Sequence, residues 1–384
     1  MSSDSVIYLD HGATSWPKPP SVLESMSDFM GGVAANAGRS GHFASVKSSE
    51  MINDVRTRMA KFLGIADPSN FIFTKGTTEG LNLVLKGFLI EGDKVLISPM
   101  EHNSVMRVLA KLKREIGLQY ETLPGDEFGR IDLERAGDFT GGDFKLLVVA
   151  HASNVNGVVQ DIDALRQIFP DVPMLVDAAQ TGGVLPIDID ETGIDFLACS
   201  SHKGLLGPAG IGGCYISPKY EIAPLIEGAT GSFSDSIDHP NSRPSCYEAG
   251  TSNLHGIAGL RGALDYFDEN ELSGEHKRYL TSIMIEGIGD YPGVKIYSPK
   301  DGTALSLAFT IAGVSAVEIA AILEKDYDIL CRPGLHCAPN AHKHLGTLPN
   351  GAVRLAPGYG NTQKEIVDAI RAVGVIAMET ATKS

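Results

Sequence analysis

The 384-residue chain has only five cysteines, Cys199, Cys214, Cys246, Cys331 and Cys337, odd in number and with no CxxC pair. That argues against a disulfide framework or a zinc ribbon and fits a reducing compartment. No apolar run approaches the ~18–20 residues of a membrane helix. The first residues, Met1-Ser2-Ser3-Asp4-Ser5, lack a basic segment followed by an apolar core, so no signal peptide and a cytoplasmic location are expected. Basic residues number 32 against 47 acidic ones, a formal charge of −15. Such a balance disfavours non-specific nucleic-acid binding, and no basic cluster supports it. Repeats and low-complexity segments are missing as well. Apolar and charged contents, 43% and 21%, are those of a globular protein. At this length the core needs no disulfide or metal staple.

Short apolar runs alternate with helical segments through the middle of the chain. Strands are expected at 71–74, 95–98, 146–150, 174–177, 196–199 and 213–216, and helices at about 78–89, 103–113 and 161–168. Continuous apolar strands separated by helices predict an α/β fold with a mainly parallel sheet sandwiched by helices. Ligands of such sheets lie at the carboxyl ends of the strands. Residues 1–20 read as an extended arm that packs with the small domain, 21–255 as a large domain, and 256–384 as a smaller α+β domain. A helix from about 253 to 268 is expected to bridge the last two.

Chemically suggestive residues gather at those strand ends. Lys203 lies in Ser200-Ser201-His202-Lys203-Gly204 and precedes a glycine-rich stretch. Asp177 closes the run Met174-Leu175-Val176-Asp177. A lysine in a polar turn and a buried strand-end acid are the pair that pyridoxal phosphate requires. The lysine joins the aldehyde covalently, and the acid pairs with the protonated ring nitrogen. The plainer readings are a surface lysine and a helix-capping acid. Gly76-Thr77-Thr78 opens a helix where free N–H groups and two hydroxyls suit a phosphate, or serve as a simple cap. Ser200 and His202 can donate to the same phosphate. His102 can stack on a pyridine ring or merely cap its helix. Asn154 and Gln180 can reach the phenolic oxygen, and Asn154 can also reach a substrate carboxylate or be an ordinary turn residue.

A second cluster is Cys331-Arg332-Pro333-Gly334-Leu335-His336-Cys337-Ala338-Pro339. Positive neighbours raise a loop cysteine's thiolate fraction. His336, Cys337, His342 and His344 are also residue types zinc accepts. The His-Lys-His segment reads equally as an exposed helix face, and no metal is expected. Arg354, flanked by apolar residues, suits bidentate binding of an α-carboxylate or a structural ion pair.

These motifs, together with Tyr8-Leu9-Asp10-His11-Gly12-Ala13-Thr14-Ser15 and Glu248-Ala249-Gly250-Thr251-Ser252-Asn253, resemble the class V aminotransferases over nearly the whole chain. Within that family, of fold type I, they resemble the cysteine desulfurases of the group II, SufS-like branch. The resemblance implies pyridoxal 5′-phosphate as cofactor. It makes Lys203 the covalent lysine, His102 the stacking ring and Asp177 the partner of the ring nitrogen. Asn154 and Gln180 would flank the phenolic oxygen. Thr77, Thr78, Ser200 and His202 would bind phosphate from one subunit and Thr251 from the other, giving a homodimer with shared sites. Arg354 would hold the substrate carboxylate, Arg332 would lie by the cysteine loop, and Arg39 near the active-site entrance. Cys337 would take sulfur from L-cysteine as a persulfide and pass it to an acceptor protein or small thiol, iron–sulfur cluster assembly being one destination. Selenocysteine lyase activity on L-selenocysteine, another class V aminotransferase or lyase reaction, and a catalytically silent sulfur-carrier scaffold are the alternatives. His11, Gly38 and Leu335 depart from the family pattern.

Overall fold

The computed structural model describes residues 6–32, 34–38, 41–230 and 236–383. Its strands are β1 (Ile7–Tyr8), β2 (Phe71–Thr74), β3 (Lys94–Ile97), β4 (Gln119–Thr122), β5 (Leu146–Ala150), β6 (Met174–Asp177), β7 (Phe196–Ser200), β8 (Gly212–Ile216), β9 (Val294–Ile296), β10 (Leu307–Ile311), β11 (Ile329–Leu330), β12 (Arg332–Gly334) and β13 (Ala352–Leu355). The large sheet has seven strands in the order β2-β8-β7-β6-β5-β3-β4. Only β8 runs against its neighbours, pairing antiparallel with both β2 and β7; the other pairings are parallel.

The expected α/β sandwich is present, and its cause is visible in alternate side chains. Leu147, Val149 and Val176 face a core that includes Val22, Met51, Val55 and Leu260. Leu146, Val148 and Leu175 face the opposite core, with Leu81, Leu85, Val105 and Leu109. A strand covered on both faces must be apolar at every position, which is why these runs carry no polar alternation. Burying each such side chain contributes roughly 1.5–3 kcal/mol.

The helix Leu254–Glu269 straddles the boundary expected at 255/256, and its buried face belongs to the core of the large sheet. The four-stranded sheet β12-β13-β10-β9 packs with the helices Gly274–Gly289, Ala316–Tyr327 and Gln363–Lys383 in a separate core. The N-terminal segment joins this second unit. β1 pairs in parallel with β11, and Leu9 is fully buried in the second core. No helix among the described residues is long and apolar enough to cross a membrane.

Candidate active site

Six of the seven large-sheet strands share one direction, so their carboxyl ends meet along one edge. A cavity there is lined by Thr77, Thr78, His102, Asn154, Asp177, Gln180, Ser200, His202 and Lys203, with Met100, Ser104, Ala150, Ala152 and Ala179. Nine of the residues singled out from the sequence therefore converge on one space.

The floor is set by Asp177 at the end of β6. It is only 6% exposed, and one carboxylate oxygen accepts from the Ala179 N–H at 2.9 Å. Burial raises its pKa, opposed by that N–H and by the Lys203 charge. A carboxylate so placed needs a cationic partner to stay ionised. Lys203 follows β7 in a turn whose backbone packs closely: a Cβ at Gly204 would lie 2.4 Å from the Gly182 carbonyl. Burial lowers the Lys203 pKa to about 8, against the pull of Asp177. An amine losing its proton so near neutrality is a competent nucleophile and base.

The N-terminal segment anchors this turn. The Ser15 N–H, the Thr14 hydroxyl and the Lys18 ammonium all donate to the His202 carbonyl, at 2.9, 3.0 and 2.8 Å.

At the other wall, the helix Thr77–Phe88 begins after Gly76, whose φ of +146° is a conformation few side chains adopt. A Cβ there would stand 3.1 Å from Ser200 Oγ. That oxygen accepts the Thr77 N–H at 2.9 Å and lies 2.7 Å from the Thr77 hydroxyl. His102 caps the next helix, Asn103–Ile116, with Nδ1 accepting the Ser104 N–H at 3.1 Å. The ring proton therefore sits on Nε2. Burial and the nearby Lys203 charge lower the ring's pKa to about 4, so it is neutral at pH 7.

Some predicted residues have other first partners. Asn154 Nδ2 donates to the His336 carbonyl at 2.6 Å, and Gln180 Nε2 to the Gly12 carbonyl at 3.0 Å. Arg354, on β13, is 1% exposed. Its Nη1 donates to the Asn154 carbonyl at 2.6 Å, its Nη2 pairs with Asp10, and its Nε has no partner. Asp10 was not singled out from the sequence; only its place in the N-terminal motif hinted at it. Arg332 pairs directly across the sheet with Arg354. Its Nη2 lies 3.6 Å from Cys337 Sγ. Cys337 is exposed in a groove shared with Thr78, His102 and Ser104 beside the cavity.

Thr251 does not line this cavity; it is exposed on a separate one with Phe73, Lys75 and Tyr247. Arg39 lies outside the described residues. The His-Lys-His segment is not an exposed face throughout. His342 is fully buried, because the helix Pro339–His344 turns it toward His336. The departure at His11 is also buried, against Tyr8, with its pKa lowered to about 3 by burial and by Lys277 and Lys18.

Residues 7–369 match the family described as Aminotransferase class-V. The chain belongs to the class V aminotransferases. A probable cysteine desulfurase of Methanothermobacter thermautotrophicus is 32% identical over 94% of this chain and 92% of its own length. One from Pyrococcus abyssi is 32% identical over 94% and 92%. The solved cysteine desulfurase of Thermococcus onnurineus superposes with a TM-score of 0.91 at 32% identity, covering 98% of this chain and 96% of that one. A cysteine desulfurase structure from Escherichia coli gives 0.87 at 27% identity, covering 98% and 95%.

Class V aminotransferases use pyridoxal 5′-phosphate, and the donor set fits it. Gly76 leaves a cradle that a Cβ would fill, rimmed by the Thr77 and Ser200 hydroxyls at a helix N-terminus, as a phosphate needs. Asp177 is a sealed carboxylate facing the cavity. Lys203 is the cavity's amine of lowered pKa.

Proposed function

We propose that this chain is a pyridoxal-phosphate-dependent cysteine desulfurase that releases L-alanine from L-cysteine and carries the sulfur on Cys337. The observation that carries this reading is Cys337 beside Arg332, in a groove shared with His102 at the margin of the cavity holding Lys203 and Asp177.

The bound cofactor supplies an electron sink for the charge left when the substrate's α-proton departs. Asp177 would hold the proton on the cofactor's ring nitrogen. Lys203 Nζ takes the α-proton and, with its lowered pKa, is able to return it at the next step. His102, neutral at pH 7, would hold the cofactor from the side of the cavity it lines. The partnerless Nε of Arg354 supports a role in holding the α-carboxylate.

The Arg332 guanidinium stands beside Cys337 Sγ, and a cysteine reacts as its thiolate. That thiolate attacks the substrate sulfur. An S–S bond forms, the Cβ–S bond breaks, and the electron pair stays with the carbon fragment, which is protonated to alanine. An acceptor thiol, on a protein or a small molecule, then attacks the terminal sulfur and restores Cys337. The site would be completed by a second copy, with its Thr251 on the phosphate, in a cytoplasmic homodimer.

Cofactor-loaded protein given L-cysteine and a thiol reductant is expected to release alanine and sulfide in equal amounts. Alanine production that depends on an added keto acid, or no turnover, would overturn the reading.

A further inference from the structure

Behind Cys337 lies a polar chain that the desulfuration chemistry does not use. His336 is 2% exposed, His342 fully buried and Thr347 7% exposed. His336 Nε2 lies 2.9 Å from the Arg332 carbonyl, His336 Nδ1 lies 3.1 Å from His342 Nε2, and His342 Nδ1 lies 2.7 Å from the Thr347 hydroxyl.

The proton positions follow from the end of the chain. A carbonyl only accepts, so His336 must carry its proton on Nε2. Its Nδ1 is then an acceptor, and His342 must donate from Nε2. The Thr347 hydroxyl donates to the nitrogen that remains. Three hydrogen bonds thus run one way, from Thr347 to the backbone of Arg332, through two neutral rings. Burial lowers both imidazole pKa values, to about 3 and about 4, in keeping with two neutral rings. Because the chain ends on a carbonyl, it delivers no proton to the thiol. Its effect is on shape.

The shape in question is unusual. His336 and Cys337 both have left-handed backbones, φ +49° and +57°, though neither is glycine. The loop is also tied by the Asn154 amide to the His336 carbonyl at 2.6 Å and by the Asn103 N–H to the Cys337 carbonyl at 2.9 Å.

We propose that His336, His342 and Thr347 are positioning residues that clamp this loop so that Cys337 Sγ is presented to the substrate next to Arg332. This rests on the proposed desulfurase reading for its purpose but not for its geometry.

The test compares His342→Phe, which keeps a ring without hydrogen bonds, with His342→Gln, whose amide can accept from Thr347 and donate to His336. Cys337 alkylation by iodoacetamide, followed on the isolated peptide, reads the loop without turnover. His342→Phe is expected to slow alkylation about tenfold as the unclamped loop turns the exposed Sγ away from its place in the groove. It should lower kcat by about tenfold or more, since small misplacements of a reacting group are costly. The KM for L-cysteine and the cofactor's visible band should stay within about twofold of wild type. His342→Gln should restore most of both rates. Wild-type alkylation and kcat in His342→Phe would overturn the clamp, as would a His342→Gln protein as impaired as His342→Phe. Should His342→Phe not fold, Thr347→Val decides: alkylation slowed about threefold supports the chain, and an unchanged rate refutes it. A wild-type protein that fails to desulfurate sinks the functional reading alone, because alkylation still reports the clamp.

Discussion

Replacing Asp10 with asparagine tests how Arg354, the proposed carboxylate-binding arginine, is held. Arg354 is 1% exposed, and Asp10 is the acid paired with it, its side chain 21% exposed. Asp10→Asn keeps the shape and an acceptor but removes the charge. Breaking a buried pair costs about 3–5 kcal/mol, and an exposed one at most about 1 kcal/mol. With one partner sealed and the other one-fifth open, about 2–3 kcal/mol is expected for this pair. In a chain of this size that lowers the thermal midpoint by about 3 °C, read by circular dichroism at constant protein and cofactor concentration. The guanidinium would keep its bond to the Asn154 carbonyl but lose the anchor on its other side. Its grip on the substrate carboxylate should loosen, raising the KM for L-cysteine about tenfold with a smaller fall in kcat. An Asp10→Asn protein with wild-type midpoint and wild-type KM would refute the reasoning that this ion pair orients Arg354.

Other outcomes follow from the same structure. Gly76→Ala places a Cβ 3.1 Å from Ser200 Oγ on a backbone with φ +146°, so affinity for the cofactor should fall at least about tenfold in an absorbance titration. Borohydride reduction of loaded protein followed by peptide mapping should find the cofactor fixed to Lys203; label elsewhere would contradict the assignment. His11 has its pKa lowered from 6.5 to about 3, so the native state refuses a proton that the unfolded chain accepts. Its contribution is intact above pH 6.5 and is lost as pH falls toward 3. His11→Asn should therefore lose stability less steeply between pH 6.5 and 4 in thermal unfolding at a series of pH values.

What the sequence displayed and what it hid divide along physical lines. The runs Leu146–Ala150 and Met174–Asp177 were legible because strands covered on both faces admit few polar residues. Lys203, Asp177 and Thr77 were legible because a parallel sheet brings its strand ends together, so a local pattern predicts a global position. The short, exposed strand Gln119–Thr122 was not, since it lies at the sheet edge and carries no continuous apolar run. Nor was the reversed direction of Gly212–Ile216, which its apolar residues do not encode. The pairing of Asp10 with Arg354 spans 344 positions and leaves no local trace. His342 was ambiguous for another reason: in so short a helix the periodicity cannot tell which histidine turns inward.

The central claim is that Cys337 receives the sulfur. A single turnover of L-cysteine without reductant, followed by mass spectrometry of the peptide containing Cys337, measures this directly. One added sulfur atom on that peptide, with one alanine released per site and neither product in Cys337→Ser, is the predicted result. An unmodified Cys337 peptide alongside stoichiometric alanine would contradict the account.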